Sequence, residues 1–556
     1  MGAKHRRASR VTRRDFLKLG AGAAGVLALA GCAPKATPTP EPAKPPDTPV
    51  PEPTAQPTAL PPTATPVPEP TAVVPGAKYG GTLTMGVGSD IQDWSPYHLS
   101  PSMYVLLQSI WNPLIYYVPG TGDFEPALAE SWDVSSDAKS VTLELKKGVL
   151  FHSGREFTAD DVVKSLELRQ TADAADNYGA ITKRATGAEV LDKYTVRIDF
   201  DPPTGPIIPW LETFFIVDHE TWLEPMLGTG GTGPFRVKEY LPDVGVTMER
   251  FEDYWEEGLP FVDSFVTKVI PDRATLGINF EAGEIDACWE MDIKDFARWR
   301  EDPNFGTDIG ASGFAVTAIC MNVTNGPTSD KKFRQAVAHA VDRERYVANM
   351  LQGVGYPTDI LLPPMHPAYP ADLAGNLGYD LDKARALVEE AGMDGVDVEI
   401  LTSSEFKAAY GPLSQMMADD LGKIGVKATV SDLERSAYLS RFRAPDFQIS
   451  MISPARQSKD PAVCFAAAKI LWPDAENYMQ FYSEEYEQLF NEVIQEPDLG
   501  KRTEIFHRMT EIMQDECFCV PVAPEERPYA YQNYVKNFAV EDDLAPYVGR
   551  LYLDQS

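Results

Sequence analysis

Cysteine, histidine and basic residues are all scarce in this chain, and each shortage removes a class of function. Six cysteines in 556 residues cannot build the dense disulfide framework of a small secreted scaffold. Beyond Cys32, which lies in the N-terminal export segment, Cys288, Cys320, Cys464, Cys517 and Cys519 form an odd set without metal-ligand spacing. Cys517 and Cys519 flank Phe518 and in a strand would face one side, a poor geometry for bonding each other. Buried free thiols are the expectation. The seven histidines are scattered: His98, His152, His219, His339 and His507 have no partners at fixed spacing, and His5 sits at the extreme N-terminus. His366, in P-P-M-H-P, is expected on a surface loop. G-x-S-x-G, H-E-x-x-H and C-x-x-C are all missing. A secreted hydrolase needs a nucleophile with its base, paired catalytic carboxylates or a metal set, so it is the weaker reading. No metal and no cofactor is expected.

Positive charge is short as well. The formal charge is −32, and residues 1–31 hold seven of the basic residues against one aspartate, so the remainder stands near −38. Such a chain is repelled by phosphate backbones and anionic headgroups, which excludes nucleic acid as a partner. Long apolar runs are absent after the N-terminus, so no later segment is expected to enter a bilayer.

The N-terminus sets the expected compartment. Leu19–Ala30 is an apolar stretch of about 12 residues, about 18 Å as a helix against a hydrocarbon core of about 30 Å. It therefore reads as a signal-peptide core and not as a membrane span. The preceding T-R-R-D-F-L-K, with Arg13 and Arg14, resembles a twin-arginine export signal. L-A-G-C at Leu29–Cys32 resembles a bacterial lipoprotein cleavage box, which implies acylation of Cys32 and attachment to the membrane by a lipid anchor only. Residues 1–32 are thus the expected signal peptide. Residues 33–78 follow as a Pro/Thr-rich tether, about a third proline over most of its length, too stiff and polar to bury a core.

From Tyr79 onward strand and helix patterns alternate. Val141, Leu143 and Leu145 alternate with polar residues, as do Tyr194, Val196, Ile198 and Phe200. Thr158 and Asp161 form a capping-box variant at a helix start. Phe333, Ala336, Val337, Ala340 and Val341 make one helical stripe after Ser329. Asp380 caps a helix that Gly392 stops. Val396–Leu401, Tyr410–Ile424 and Val426–Val430 read as strand, helix and strand, a unit that implies parallel pairing. The G-T-G-G-T-G run at Gly228–Gly233 is followed by Pro234 and a strand, so it reads as a chain turn and not as a phosphate loop.

Several ordered segments then carry a family resemblance. They are P-A-L-A-E-S-W-D-V-S-S-D at Pro126–Asp137, L-K-K-G-V-L-F-H-S-G-R-E-F-T-A-D-D-V at Leu145–Val162 and G-T-G-P-F at Gly231–Phe235. F-R-Q-A-V-A-H-A-V-D-R at Phe333–Arg343 and Y-D-L-D-K-A-R-A-L-V-E-E-A-G at Tyr379–Gly392 follow. Together they resemble family 5 extracellular solute-binding proteins, the peptide- and nickel-type receptors of ABC importers. The resemblance implies an α/β, two-lobed periplasmic-binding-protein-like receptor of type II, with mixed sheets, an extra inserted domain and a central ligand cleft. By analogy lobe I holds 79–115, 231–312 and 526–556, the inserted domain 116–230, and lobe II 313–525. The implied function is capture of a small solute, as a monomer, for delivery to ABC permease subunits. A sensor of the same fold without a transport role is the alternative that fold cannot separate.

Cleft walls are expected from strand ends and the loops after them. Asp90 and Trp94 follow the first strand, and Trp289 follows Gly283–Cys288, all in lobe I. Asn322, Ser403 and the segment Met451–Asp460 follow strands of lobe II. Peptide-binding relatives carry W-x-x-D-Y-x-D-P in that last segment, with the first Asp pairing to the ligand's ammonium. Here the residues are S-P-A-R-Q-S-K-D-P, so Asp460 is retained while Gln457 stands at the ammonium position beside Arg456. A neutral amide cannot supply the charge-assisted bond an ammonium wants. A neutral or anionic solute, such as an oligosaccharide or carboxylate, is therefore expected over ordinary peptides.

Overall fold

Alternating apolar residues become buried strand faces in three main sheets. The computed structural model describes residues 76–555, apart from 92–93, 98–100, 119–122, 172–178, 222–229, 311–314, 405–406, 454–459, 474–476 and 541–544. The expected signal peptide, Cys32, nearly all of the tether, Arg456 and Gln457 lie outside the described residues. Among the described residues no helix is long and apolar enough to cross a membrane.

In chain order the strands are β1 (Thr82–Val87), β2 (Ile115–Val118), β3 (Asp123–Pro126), β4 (Ala129–Val134), β5 (Ser140–Leu145), β6 (Ala185–Asp192) and β7 (Thr195–Phe200). Next come β8 (Phe235–Leu241), β9 (Gly245–Arg250), β10 (Ser264–Val269), β11 (Ala287–Trp289) and β12 (Phe305–Ile309). Then follow β13 (Val316–Met321), β14 (Asp397–Ser403), β15 (Lys427–Leu433), β16 (Ile449–Ile452) and β17 (Cys519–Pro524). The last are β18 (Pro528–Gln532), β19 (Val535–Lys536) and β20 (Tyr552–Leu553). One sheet runs β12-β18-β11-β1-β10-β9-β8, a second β15-β14-β16-β13-β17, and a third, antiparallel one β4-β5-β7-β6. Two-stranded ribbons β2-β3 and β19-β20 complete the set.

The two faces of the five-stranded sheet belong to different cores, as a period-2 strand requires. Ile319, Met321, Ile400 and Ile449 pack with Phe333, Val337 and Met417, while Ala318, Cys320, Leu401 and Cys519 join a cluster that reaches Val141, Ile198 and Trp210 of the four-stranded region. The helix Lys331–Ala340 buries the expected stripe and is capped by Asp330, whose side chain accepts from Phe333 N–H at 3.0 Å. Asp380 caps Leu381–Glu390 in the same way, and Gly392 ends that run at φ +68°. The strand–helix–strand unit forms as parallel β14 and β15 joined through Lys407–Lys423, although the helix starts three residues earlier than its apolar pattern and runs through Pro412.

Three local expectations are corrected. Cys517 is no strand residue: it ends the helix Leu499–Glu516 in the left-handed region, at φ +51°, and only Cys519 belongs to β17. A helix without a glycine at its end places another residue there, and the Cys517 Sγ settles 3.0 Å from Gln514 O. His366 is 8% exposed and not on the surface, because its proline-flanked turn folds inward and its Nδ1 accepts from Ala368 N–H at 3.0 Å. Trp289 and Ser403 lie in β11 and β14 themselves and not in the loops after them.

Gly231 and Gly233 sit where the expected turn was placed, pressed against the backbone of Ile110. A Cβ on Gly231 would lie 1.9 Å from Ile110 O, so this crossing requires glycine for close approach and not for a positive φ.

Candidate solute-binding cleft

Two chain crossings link the seven-stranded and five-stranded sheets. β12 leads into β13, and β17 leads into β18. Residues 311–314 of the first crossing lie outside the described residues, and on either side of them the two crossings are joined: Ile309 pairs with Pro528, Gly310 N–H donates to Arg527 O at 3.2 Å, Glu525 N–H to Ala315 O at 2.7 Å, and Val316 pairs with Pro524. A two-stranded connection of this kind has the topology of a hinge.

Strand polarity then fixes which ends meet there. β11 is antiparallel to β18, with Trp289 opposite Tyr529, so its carboxyl end lies at the crossing. β1 is parallel to β11, which brings Val87 and Gly88 to the same edge. In the other sheet β16 is antiparallel to β13, with Ile452 opposite Ala318, and β14 is parallel to β16. Carboxyl ends of β1, β11, β14 and β16 thus converge on the crossing from two sheets, the position at which open α/β sheets bind ligands.

Unsatisfied polar atoms mark this edge. Among the described residues, Trp289 Nε1, Thr402 Oγ1 and Ser403 Oγ are buried and lack a hydrogen-bond partner. Leaving such a group unpaired costs about 1–3 kcal/mol, so each is free to bond a solute at no loss to the protein. The Trp289 ring stacks on Tyr529 with centroids 6.0 Å apart, which holds the indole orientation. Glu290 follows at φ +63° and accepts from Gly88 N–H at 3.0 Å, tying the ends of β1 and β11 together. Burial pushes its carboxyl up, against the pull of that N–H and of Arg273 and Arg527. From the hinge, Glu525 accepts from Tyr410 Oη at 2.9 Å and from Thr317 Oγ1 at 3.2 Å. Burial, reinforced by Glu525, pushes the Tyr410 hydroxyl well up and keeps it a donor.

The other expected site residues are engaged in holding the scaffold. Asp90 accepts from Tyr240 Oη at 2.9 Å and Asp243 N–H at 2.7 Å, and Trp94 meets the same Tyr240 ring edge-on at 5.2 Å. Both are thereby drawn to the β8–β9 hairpin at one margin of the seven-stranded sheet. Asn322 is fully buried; its amide donates to Pro445 O at 2.8 Å and accepts from Thr324 N–H and Oγ1. Asp460 is buried against Arg502 at 3.0 Å and accepts from Ala462 N–H at 2.8 Å. Trp289 and Ser403 are thus the described pair at the convergent edge. Glu290, Thr402, Tyr410 and Glu525 were not anticipated. Extending the strand-end rule by one residue finds Glu290 and Thr402; nothing local in sequence links Tyr410 to Glu525.

Away from the cleft, Asp161, Asp218 and His219 lie within 4.8 Å of one another, but the Arg155 guanidinium bridges both carboxylates. Burial opposes ionisation of Asp218, yet bonds from Ser153, Glu220 N–H and Arg155 hold it below the usual carboxylate range. This is an ion-pair cluster joining the Thr158 cap to the chain at 218–219.

Residues 123–469, more than half of the chain, match the model of the bacterial extracellular solute-binding proteins, family 5. The dipeptide-binding protein of Escherichia coli strain K12 is 26% identical over 78% of this chain and 86% of its own length. Heme-binding protein A of Haemophilus influenzae is 28% identical over 75% of this chain and 82% of its own. Among solved structures, the ABC transporter-associated periplasmic binding protein DppA from Helicobacter pylori, in complex with the peptide STSA, superimposes with a TM-score of 0.72. It shares 24% identity over 86% of this chain and 99% of its own. All three are binding proteins. The chain belongs to the bacterial extracellular solute-binding proteins of family 5, with their two-lobed α/β fold, and is a binding protein and not an enzyme.

Proposed function

We propose that the chain captures a small solute between its two lobes outside the cytoplasm and delivers it unchanged to an ABC permease. The supporting observation is the convergence of four strand ends, with unpartnered Trp289 Nε1, Thr402 Oγ1 and Ser403 Oγ, on a two-stranded crossing. Lobe I comprises 79–115, 231–312 and 526–556, lobe II 313–525, and 116–230 is the inserted domain. A solute bridging the lobes favours closure by its differential affinity for the closed state. Micromolar capture requires only about −8 kcal/mol, within reach of a few hydrogen bonds and one stacked ring. Export follows the twin-arginine route, and acylated Cys32 anchors a monomeric receptor at the membrane through the Pro/Thr-rich tether.

The solute is neutral or anionic. By the family resemblance, Gln457 stands where an aspartate would hold an ammonium, and Arg456 adds positive charge beside it. The relatives' dipeptide and heme are ligands of those proteins; here the sequence at Arg456 and Gln457 favours an oligosaccharide or carboxylate. Mass spectrometry of small molecules carried through gentle purification, followed by a thermal-shift screen of sugars, organic acids and peptides, tests this. Micromolar binding of unmodified short peptides that N-acetylation abolishes would contradict it.

A further inference from the structure

The five-stranded sheet carries a second chemical feature, at the end remote from the crossings. Cys320 on β13 and Cys519 on β17 stand directly opposite each other in register, with Sγ atoms 4.0 Å apart. Met321 N–H donates to Phe518 O at 2.9 Å, so the ladder bond flanks the two cysteines and they form a non-hydrogen-bonded pair. In such a pair the Cα atoms are about 4.5 Å apart and the side chains closest. That separation falls in the range of about 4.4–6.8 Å that a disulfide spans. Rotation about the two Cα–Cβ bonds brings the sulfurs towards a bond of about 2.05 Å, with a small outward shift of the strands because about 4.5 Å is the short end of that range.

Their surroundings fit a protected reactive pair. Both residues are buried in the same apolar cluster, at 0% and 1% exposure. Burial pushes the Cys320 thiol well up, so it stays protonated and unreactive in the closed sheet. β17 is an edge strand, however, and Cys519 lines a small cavity with Phe465, Phe506 and Met513. Local opening of that edge exposes Cys519 before Cys320. Among the described residues Cys288 and Cys517 have no such partner: Cys288 packs in another cluster, and Cys517 points to Gln514 O.

We propose that Cys320 and Cys519 are a redox modification site, closed to a disulfide by exchange with a disulfide oxidant after the chain has folded. When β17 opens, the Cys519 thiol releases its proton, and the thiolate attacks one sulfur of the oxidant and expels the other as a thiolate. Cys320 then loses its proton and attacks the Cys519 sulfur of the mixed disulfide, expelling the oxidant's second thiolate. Two protein thiols and one disulfide become one protein disulfide and two thiols, with two electrons passed to the oxidant and the protons taken up by its thiolates. The cross-link staples the edge strand far from Val316 and Pro524 at the crossing, so it stabilises the sheet and leaves lobe motion free.

The test treats the purified full chain with glutathione disulfide at about pH 8. Denaturing alkylation and peptide mapping follow. The expected product is about 2 Da lighter per chain, joins Cys320 to Cys519, melts a few degrees higher than the reduced protein and exchanges amide protons more slowly over Cys519–Pro524. Cys320→Ala and Cys519→Ala each abolish the higher midpoint. Complete alkylation of both thiols after treatment in buffer and again in sub-denaturing urea, where the edge opens, would overturn the proposal. Linkage of either cysteine to Cys288, Cys464 or Cys517 would do so as well.

Discussion

Replacing Asp460 by alanine separates a structural role from a ligand-binding one. Its Oδ2 lies 3.0 Å from Arg502 Nη2, with side-chain exposures of 3% and 7%. Its Oδ1 accepts from Ala462 N–H at the start of the helix Pro461–Ala467. Asp460→Ala therefore leaves the Arg502 charge buried without its carboxylate, a loss of about 3–5 kcal/mol. Removing the cap adds about 1 kcal/mol. The carbonyls of Glu496 and Pro497 still accept from Arg502 Nη1, at 2.8 and 2.9 Å, which holds the total near the lower end. A loss of about 4 kcal/mol is a large share of the about 5–15 kcal/mol that stabilises a typical protein. Asp460→Asn keeps an oxygen for the cap but not the charge, and is expected to fall between wild type and alanine. Urea unfolding followed by tryptophan fluorescence reads the difference as a lower midpoint at unchanged slope. If Asp460→Ala unfolds within about 1 kcal/mol of wild type while solute binding is lost, the residue serves the ligand and the reasoning fails.

Three further outcomes are expected. Ser403→Ala removes a buried hydroxyl that has no partner among the described residues, so stability should hold or rise slightly while solute affinity falls about fivefold or more, measured by calorimetry; an equal loss of both would show a purely structural serine. Gly245→Ala should cost about 2–6 kcal/mol in urea unfolding, because φ is +142° and the added Cβ would lie 1.8 Å from Thr267 O; a near-neutral result would show that the β9–β10 ladder can shift. Burial, with Lys383 and Arg343 nearby, holds the His339 imidazole below its usual range against the pull of Gly378 O. Its depressed folded value means that the unfolded chain takes up the proton first. Stability is therefore present above about pH 6.5 and is lost as pH falls through that window. His339→Gln should flatten this limb, and an unchanged slope would place the dependence elsewhere.

Much of the local structure was written in short stretches of chain. Asp380 caps its helix because it precedes an apolar run at helical spacing. Val141, Leu143 and Leu145 predict their strand because side chains two apart share a face. Family membership was legible too, since several ordered segments carried it together. Strand-end reasoning picked out Trp289 and Ser403, which the structure places as the last residues of β11 and β14. It failed to foresee that Asp460 meets Arg502, 42 residues later, or that Asp90 meets Tyr240, 150 residues later. A carboxylate's sequence neighbours do not say whether a distant cation or hydroxyl will close on it.

By itself, then, the sequence determined several helices and strands, the family and the expectation of an exported receptor, all of which rest on periodicity, caps and motifs within short windows. Tertiary structure alone decided which polar groups remain unpaired at Thr402 and Ser403, that Glu525 reaches Tyr410, and that Cys320 faces Cys519 across 199 positions. Those facts depend on strand order and register between segments far apart in the chain, and pairing at that distance leaves no trace in the spacing of neighbouring residues.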